Sequence, residues 1–455
     1  MDDVIFYKRY HVFSGCSGSY EFDKINKYLR YSSFVLNEHS NEVVEKRIPT
    51  ISSQFIRKNI KSVSSLIFEV TEGCNLSCLY CGYGENYRQA TCRPLYRGLS
   101  MKWETAKTVL DYYFAIWASN KPNKAIDIIF YGGEPLVNIS LIKQIVSYIE
   151  NNNPERIHYK YFLTTNGLLL KQNSAFLVQK DFTISVSLDG DEKADQYRVD
   201  KSGKASYARV MDGLRYIKMT YPSFFDSKIS FQAVVTSKSS VLGVKRFFKE
   251  EFNKTPMIIE LSRKSEEEHS KISDYYLNVS DDLSFAYNNQ KKECEKFNIE
   301  NPVNDKFRFI LMTFTDNYYR NYRDFLHETY NYKLSTGTCF PFQDKVLIAA
   351  SGLLFQCEKT DFEVPLGEVK DGEIHVDESY LSSLYTRLFG SFERSCISCI
   401  NRYSCKHCFY YDRDMSGQRQ QCSDYQSFEK VDIDDYLTFL RDHAREFEEF
   451  IQLYQ

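Results

Sequence analysis

The chain has 455 residues, 43% of them hydrophobic, with a formal net charge of −3 and thirteen cysteines. Its length allows a large buried core and about three domains, its near-balanced charge announces no basic surface for nucleic acid, and no run reaches the roughly eighteen apolar residues of a membrane span. Met1 to Tyr10 holds no apolar signal core, so the expected compartment is the cytoplasm, where clustered thiols point to metal rather than to disulfides.

Residues 1–60 are read as a separate small segment. Val4–Phe13 and Ser32–Leu36 look β-like, Phe22–Arg30 is mixed, and Cys16 between two glycines reads as a turn thiol. Six apolar runs then read as strands: Leu66–Val70, Ile126–Phe130, Tyr159–Leu163, Phe182–Ser187, Ile229–Val235 and Met257–Leu261. Between them Trp103–Ala118, Leu141–Ile149, Ala175–Gln179, Tyr207–Met219 and Leu242–Phe252 read as helices. Alternating strands and helices predict an α/β core over 61–262, with a parallel sheet and helices packed outside it. Six units are fewer than the eight of a closed barrel. Residues 263–335 begin polar and charge-rich and read as a helical connector, 336–428 hold the second group of cysteines, and 429–455 read as a terminal amphipathic helix that caps the last domain.

Directly after the first strand comes Thr71-Glu72-Gly73-Cys74-Asn75-Leu76-Ser77-Cys78-Leu79-Tyr80-Cys81. A loop at the C-terminal end of a parallel strand is where such sheets place active sites. Three thiolates from Cys74, Cys78 and Cys81 can hold three irons of a [4Fe–4S] cube, leaving the fourth iron open to a small molecule. A zinc site would want four protein ligands in paired motifs. Three unrelated core thiols would not need so tight a spacing.

The C-x3-C-x-aromatic-C loop, with Tyr80 as the aromatic, resembles the signature of the radical SAM superfamily. The resemblance implies a partial (β/α)6 barrel in which S-adenosylmethionine binds the open iron and is split to a 5′-deoxyadenosyl radical. It implies that the backbone around Tyr80 supports the adenine. Tyr131-Gly132-Gly133-Glu134-Pro135 resembles the family's methionine-amine motif, in which the glycines admit close approach and Glu134 accepts from the ammonium; alone it would be a loop. Thr164-Thr165-Asn166-Gly167 ends the third strand, where a helix rather than a paired strand follows, and the resemblance makes Asn166 a candidate cofactor-binding residue. Ser185-Val186-Ser187-Leu188-Asp189-Gly190 resembles a strand end that reaches the cofactor. There Ser187 is the candidate hydroxyl, and Arg198 is either a bidentate partner for the carboxylate or a solvated surface arginine. Asp189 serves the substrate or only the turn.

The later cysteines run Cys339, Cys357, Cys396-x2-Cys399-x5-Cys405-x2-Cys408 and Cys422. Paired C-x-x-C also occurs in zinc ribbons, but seven cysteines exceed one zinc site and fall one short of two. The stretch resembles the SPASM extension of radical SAM enzymes and departs from it in the Cys405-x2-Cys408 gap, where three residues are usual. The resemblance implies two auxiliary [4Fe–4S] clusters, an outer one on Cys396, Cys399, Cys405 and Cys422 and an inner one on Cys339, Cys357 and Cys408. The inner set lacks a fourth ligand. Either Cys294 completes it, or the iron stays open, and Lys291–Glu295 reads as an exposed helix face that favours the open site.

The function implied is a maturase of ribosomally made peptides, forming a thioether or carbon–carbon crosslink in a precursor peptide, with electrons from a low-potential donor such as flavodoxin or ferredoxin. Residues 1–60 would then add the leader as an extra strand or form a plain structural hairpin. An anaerobic sulfatase maturase forming formylglycine is the alternative within the same chemistry. A zinc-stabilised, non-catalytic binding module is the alternative from another class.

Overall fold

In the computed structural model, the described residues are 51–81, 98–152 (apart from 121 and 123), 157–261, 273–314 and 338–358, with four short strands before residue 32 and most of 364–397 and 433–452, plus scattered positions near them. The chain forms two compact units: residues 1–50, 300–338 and 386–455 make one, and 51–299 with 339–385 make the other.

The chain opens on strands β1 (Ile5–Phe6), β2 (Tyr10–Ser14), β3 (Ser19–Asp23) and β4 (Tyr28–Tyr31). They pair antiparallel in chain order as a four-stranded meander. Ser32–Leu36 and Cys16 lie outside the described residues.

The larger unit begins with helix α1 (Ser53–Ser62), whose first turn is capped by Ser52 accepting from the Phe55 N–H at 3.1 Å. There follow β5 (Ser65–Thr71), α2 (Trp103–Ser119), β6 (Ile126–Gly132), α3 (Ile139–Asn152), β7 (Tyr159–Thr165), α4 (Leu170–Gln179) and β8 (Thr183–Ser187). Then come α5 (Tyr207–Thr220), α6 (Pro222–Lys228), β9 (Ile229–Val235), α7 (Val241–Phe252) and β10 (Met257–Glu260). All six expected strands and five expected helices are present. The sequence reading missed α1 and α6, which are short.

Strands β5 to β10 stand in chain order and all pair parallel. Successive right-handed crossovers in one direction put every helix on the same face, so the sheet curls into part of a barrel. The helix-side face carries the core. Phe130 stacks between Phe68 and Phe182 at 6.5 and 5.7 Å, and Trp117 donates to the Val63 carbonyl at 3.1 Å. Each of these fully buried aromatics contributes roughly 1.5–3 kcal/mol. Along β6 and β8 buried residues alternate with half-buried ones. Tyr131, Thr164, Ser185, Ser187 and Gln232 thereby line the concave face as a half-exposed, mostly polar surface.

Helices α8 (Val279–Lys296) and α9 (Val303–Phe314) supply the helical connector, divided between the two units. Cys294 on α8 is fully buried, so the reading of Lys291–Glu295 as an exposed face is corrected at that position. The flanking charges point outward, with Glu293 pairing to Arg246 at 2.6 Å, while the thiol turns inward.

The same sheet then grows on its other edge. Strand β11 (Lys345–Ile348) pairs parallel with β5, and β12 (Leu353–Phe355), β13 (Gly367–Lys370) and β14 (Glu373–His375) follow antiparallel, giving ten strands among the described residues. Helix α10 (Glu378–Ile397) follows. In place of one terminal helix there are two, α11 (Ile433–Asp442) and α12 (Ala444–Gln452), separated at His443. They pack on α9, with Phe307 fully buried against Phe439, Phe447 and Phe450 at 5.0–5.6 Å between ring centroids. Among the described residues no helix is long and apolar enough to cross a membrane.

Candidate active site

Four successive strand ends meet at one rim of the barrel. The first carries Cys74, Cys78 and Cys81, which are half-buried thiols. The loop is held from two sides. On one side, the Ser77 and Leu79 N–H groups donate to the Val199 and Tyr197 carbonyls at 2.7 and 3.0 Å, so the segment after β8 straps the loop. On the other, the Gly133 N–H donates to the Thr71 carbonyl at 3.0 Å and the Glu134 N–H to the Gly73 carbonyl at 2.9 Å.

This second contact explains the paired glycines. A Cβ on Gly133 would stand 2.4 Å from the Glu72 carbonyl oxygen, and one on Gly132, whose φ is +138°, 2.1 Å from that of Thr71. Only glycine fits. The close approach is to the neighbouring strand end, not to open space above the site.

Glu134 is completely buried, and its carboxylate is fully engaged within the protein. It accepts from the Thr165 hydroxyl and the Asn166 N–H, both at 2.7 Å, and from the Leu136 N–H at 3.1 Å. Burial pushes its carboxyl up, and these donors oppose that shift. Glu134 therefore ties the second strand end to the third. Pro135 starts the short 3-10 turn Pro135–Asn138 that follows.

Asn166 spans the first and third strand ends. Its Nδ2 donates to Asn75 Oδ1 at 2.7 Å and lies 3.7 Å from Cys74 Sγ, and its Oδ1 accepts from the Leu168 N–H at 3.1 Å. Ser187 ends β8 half-buried on the concave face.

Arg198 is 7% exposed, which removes the surface alternative. Its Nη1 donates to the Tyr80 hydroxyl at 2.9 Å and lies 3.6 Å from Asp189, while its Nε lies 3.8 Å from Asp195. The Tyr80 hydroxyl in turn donates to Asp189, whose other oxygen accepts from the Val234 N–H at 3.0 Å. Both aspartates are completely buried. Two carboxylates facing one guanidinium leave one negative charge uncompensated, and burial pushes both carboxyls up against the pull of Arg198. Sequence reasoning missed Asp195 and the Tyr80 hydroxyl, which the fold joins to Arg198 and Asp189. Asp189 was visible in the Ser-Leu-Asp-Gly turn, but its partners lie on other strands.

The three thiols Cys74, Cys78 and Cys81 stand on one loop. Among the described residues, no three carboxylate, imidazole or thiol groups converge closely enough to hold one metal ion. Cys74, Cys78 and Cys81 nevertheless feel one another's charge. Burial pushes the Cys78 thiol up to about 12, with Arg198 opposing, so loading metal here displaces protons.

The second cysteine group is divided. Cys339 and Cys357 belong to the larger unit, and Cys396, Cys399, Cys408 and Cys422 to the smaller; Cys405 lies outside the described residues. Gln343 links the first two, its Oε1 accepting from the Phe340 N–H at 2.9 Å and its carbonyl from Gln356 Nε2 at 3.0 Å. The register Lys345↔Ser65 sets this pair beside the N-terminal end of β5, whereas the Cys74 loop leaves its C-terminal end. Seven strand residues separate the two ends by about 20 Å. Lys345, Asp344 and Glu358 act on the Cys339 thiol, and Glu293, Asp282 and Glu295 on the Cys294 thiol. The two thiols thus have different surroundings. In the smaller unit the Cys399 N–H donates to the Cys396 carbonyl at 3.4 Å, and Cys399 bridges Ser427.

Residues 68–226 match the radical SAM superfamily, the span from the first strand to just past the fourth. The match covers less than half of the chain and holds the three-cysteine loop, the Gly132–Pro135 turn and Arg198. An uncharacterized protein of Methanocaldococcus jannaschii is 31% identical over 181 residues, 40% of this chain and 56% of that protein. A cysteine-type anaerobic sulfatase-maturating enzyme of Clostridium novyi is 29% identical over 161 residues, 35% of this chain and 41% of that enzyme. The chain thus spans about half the length of the curated relatives it matches. The solved structure of native anSMEcpe with bound AdoMet and Cp18Cys peptide superposes with a TM-score of 0.55 at 19% identity, covering 85% of this chain and 98% of that one, so the shared fold extends beyond the matched domain.

Proposed function

We propose that this enzyme uses S-adenosylmethionine and a [4Fe–4S] cluster on Cys74, Cys78 and Cys81 to oxidise a side chain of a peptide or protein substrate. The observation that carries the reading is the three-thiol loop at the C-terminal end of β5, inside the span that matches the superfamily. Bound there, the cluster and S-adenosylmethionine would supply a 5′-deoxyadenosyl radical that abstracts hydrogen from the substrate.

The chain's own residues would do the rest. The Gly132–Pro135 backbone and the concave-face hydroxyls, Ser187 among them, would orient the cofactor. Arg198 would offer positive charge beside Cys78, although its contacts in the protein are already to Tyr80, Asp189 and Asp195. Tyr131, Thr164, Ser185 and Gln232 would line the space for the substrate. Auxiliary clusters on the later cysteines would staple the C-terminal region and accept electrons.

The sequence puts crosslinking first. Similarity to sulfatase-maturating enzymes in both sequence and fold reverses that order: oxidation of a cysteine or serine to formylglycine becomes the better-supported reading. Crosslinking stays as the second reading, favoured by the four-stranded meander of β1–β4, which offers strand edges for an extended peptide.

The test uses the full chain loaded with iron and sulfide without oxygen. Reduced protein should convert S-adenosylmethionine to 5′-deoxyadenosine, and replacing Cys74, Cys78 and Cys81 together with Ala should abolish this while auxiliary iron stays bound. Cleavage that persists in the triple variant would remove the proposal. Cysteine- and serine-containing peptides should then gain an aldehyde that reacts with a hydrazide; loss of two hydrogens without an aldehyde would favour the crosslink.

A further inference from the structure

We propose that Asn166 is a positioning residue that sets the reduction potential of the cluster, acting through an N–H···S hydrogen bond to Cys74. The proposal rests on the reading that Cys74, Cys78 and Cys81 hold that cluster.

The geometry is specific. One nitrogen, Nδ2, carries two hydrogens and faces two acceptors, Asn75 Oδ1 at 2.7 Å and Cys74 Sγ at 3.7 Å. The amide cannot be turned over. Its Oδ1 accepts from the Leu168 N–H at 3.1 Å, so a flip would set a donor against that N–H and an oxygen against Asn75 Oδ1. The backbone beneath it is fixed as well, because the Asn166 N–H donates to the buried Glu134 carboxylate at 2.7 Å. A side chain held at both ends in this way delivers its second hydrogen to one sulfur.

Cys74 Sγ also accepts from the Leu76 N–H at 3.4 Å. Among the described residues, Cys74 is therefore the thiol of the three that receives two N–H groups. The Leu76 donor belongs to the loop itself and comes with its backbone. Asn166 belongs to the end of β7 and arrives only through the tertiary fold, so it is the donor a substitution can remove.

The consequence follows from charge. Reduction by one electron adds negative charge that spreads partly onto the thiolate sulfurs. A donor aimed at such a sulfur stabilises the reduced form more than the oxidised form and makes the potential more positive. An enzyme that must take its electron from a weakly reducing protein donor benefits from this shift.

The experiment is a redox titration of the full chain, reconstituted with iron and sulfide, following the electron paramagnetic resonance signal that responds to S-adenosylmethionine. Asn166→Ala should move the midpoint to a more negative potential and lower the reduced fraction at a fixed donor potential, with the same iron content. Asn166→Asp keeps the size and the Leu168 acceptor but replaces the donor with a charge, and should move the midpoint further the same way; it also serves if the Ala variant folds poorly. A midpoint that is unchanged, or more positive, in iron-loaded Asn166→Asp would overturn the proposal. A parent chain that binds no iron at this loop would instead overturn the cluster reading beneath it, a different result from a loaded parent with an unmoved midpoint.

Discussion

The Tyr80 hydroxyl accepts from Arg198 Nη1 at 2.9 Å and donates to Asp189, joining the cysteine loop to the end of the fourth strand through one oxygen. The ring itself is buried against Leu261. Tyr80→Phe keeps the packing and deletes the oxygen, leaving a buried guanidinium and a buried carboxylate each one partner short. We expect a loss of about 1–3 kcal/mol of stability and slower iron uptake at this loop. Denaturant titration of the full chain checks the first, and iron content over time the second. Parent-like values in both would mean the hydroxyl is dispensable.

Glu134→Gln tests the link between the second and third strand ends. The amide keeps one oxygen but turns the other position into a donor that faces the Asn166 N–H or the Thr165 hydroxyl. The sequence alone predicts that cofactor binding is weakened more than folding. The three protein donors on this carboxylate predict the opposite order, with a stability loss of about 1–3 kcal/mol and any loss of cofactor affinity following from loosened loops. Calorimetric affinity and unfolding midpoints measured side by side decide between them; reduced affinity at unchanged stability would restore the ammonium contact.

The pair Asp189 and Asp195 should make stability depend on pH. Burial raises both carboxyls, so the folded chain holds a proton that the unfolded chain releases at lower pH. A raised carboxyl contributes stability that is present below the unfolded pKa and lost as pH rises through the folded one. Asp195→Asn removes one carboxylate and retains an oxygen for the Asp189 N–H. Its thermal midpoint should therefore fall less than the parent's as pH rises from the ordinary carboxylate range towards neutral. Parallel profiles would place the extra proton elsewhere.

Cys294→Ala should leave the iron content and the auxiliary-cluster spectra unchanged. The thiol is buried on α8 among charges different from those around Cys339. The substitution should cost on the order of 1 kcal/mol for the lost packing. Loss of one cluster's signal would instead make Cys294 a ligand.

The sequence by itself determined the alternation of six strands and five helices, because apolar periodicity is a local property: the run Ile229–Val235 is the strand β9 residue for residue. It also determined the cysteine loop and the Gly-Gly-Glu-Pro turn, whose residue types are bound to their spacing. Tertiary structure alone decided what those residues touch. Ala350, 281 residues along the chain, donates its N–H to Glu69 at 3.1 Å beside the β5–β11 pairing. Strands β11 to β14 were not legible, because at three or four residues they are too short to show a period and they stand outside the strand–helix alternation that marks the equally short β10. The burial of Arg198, the enclosure of Glu134 and the inward turn of Cys294 each depend on a neighbour distant in sequence. A charged side chain reads as exposed until the fold brings its partner, and here the partners stand at the ends of other strands.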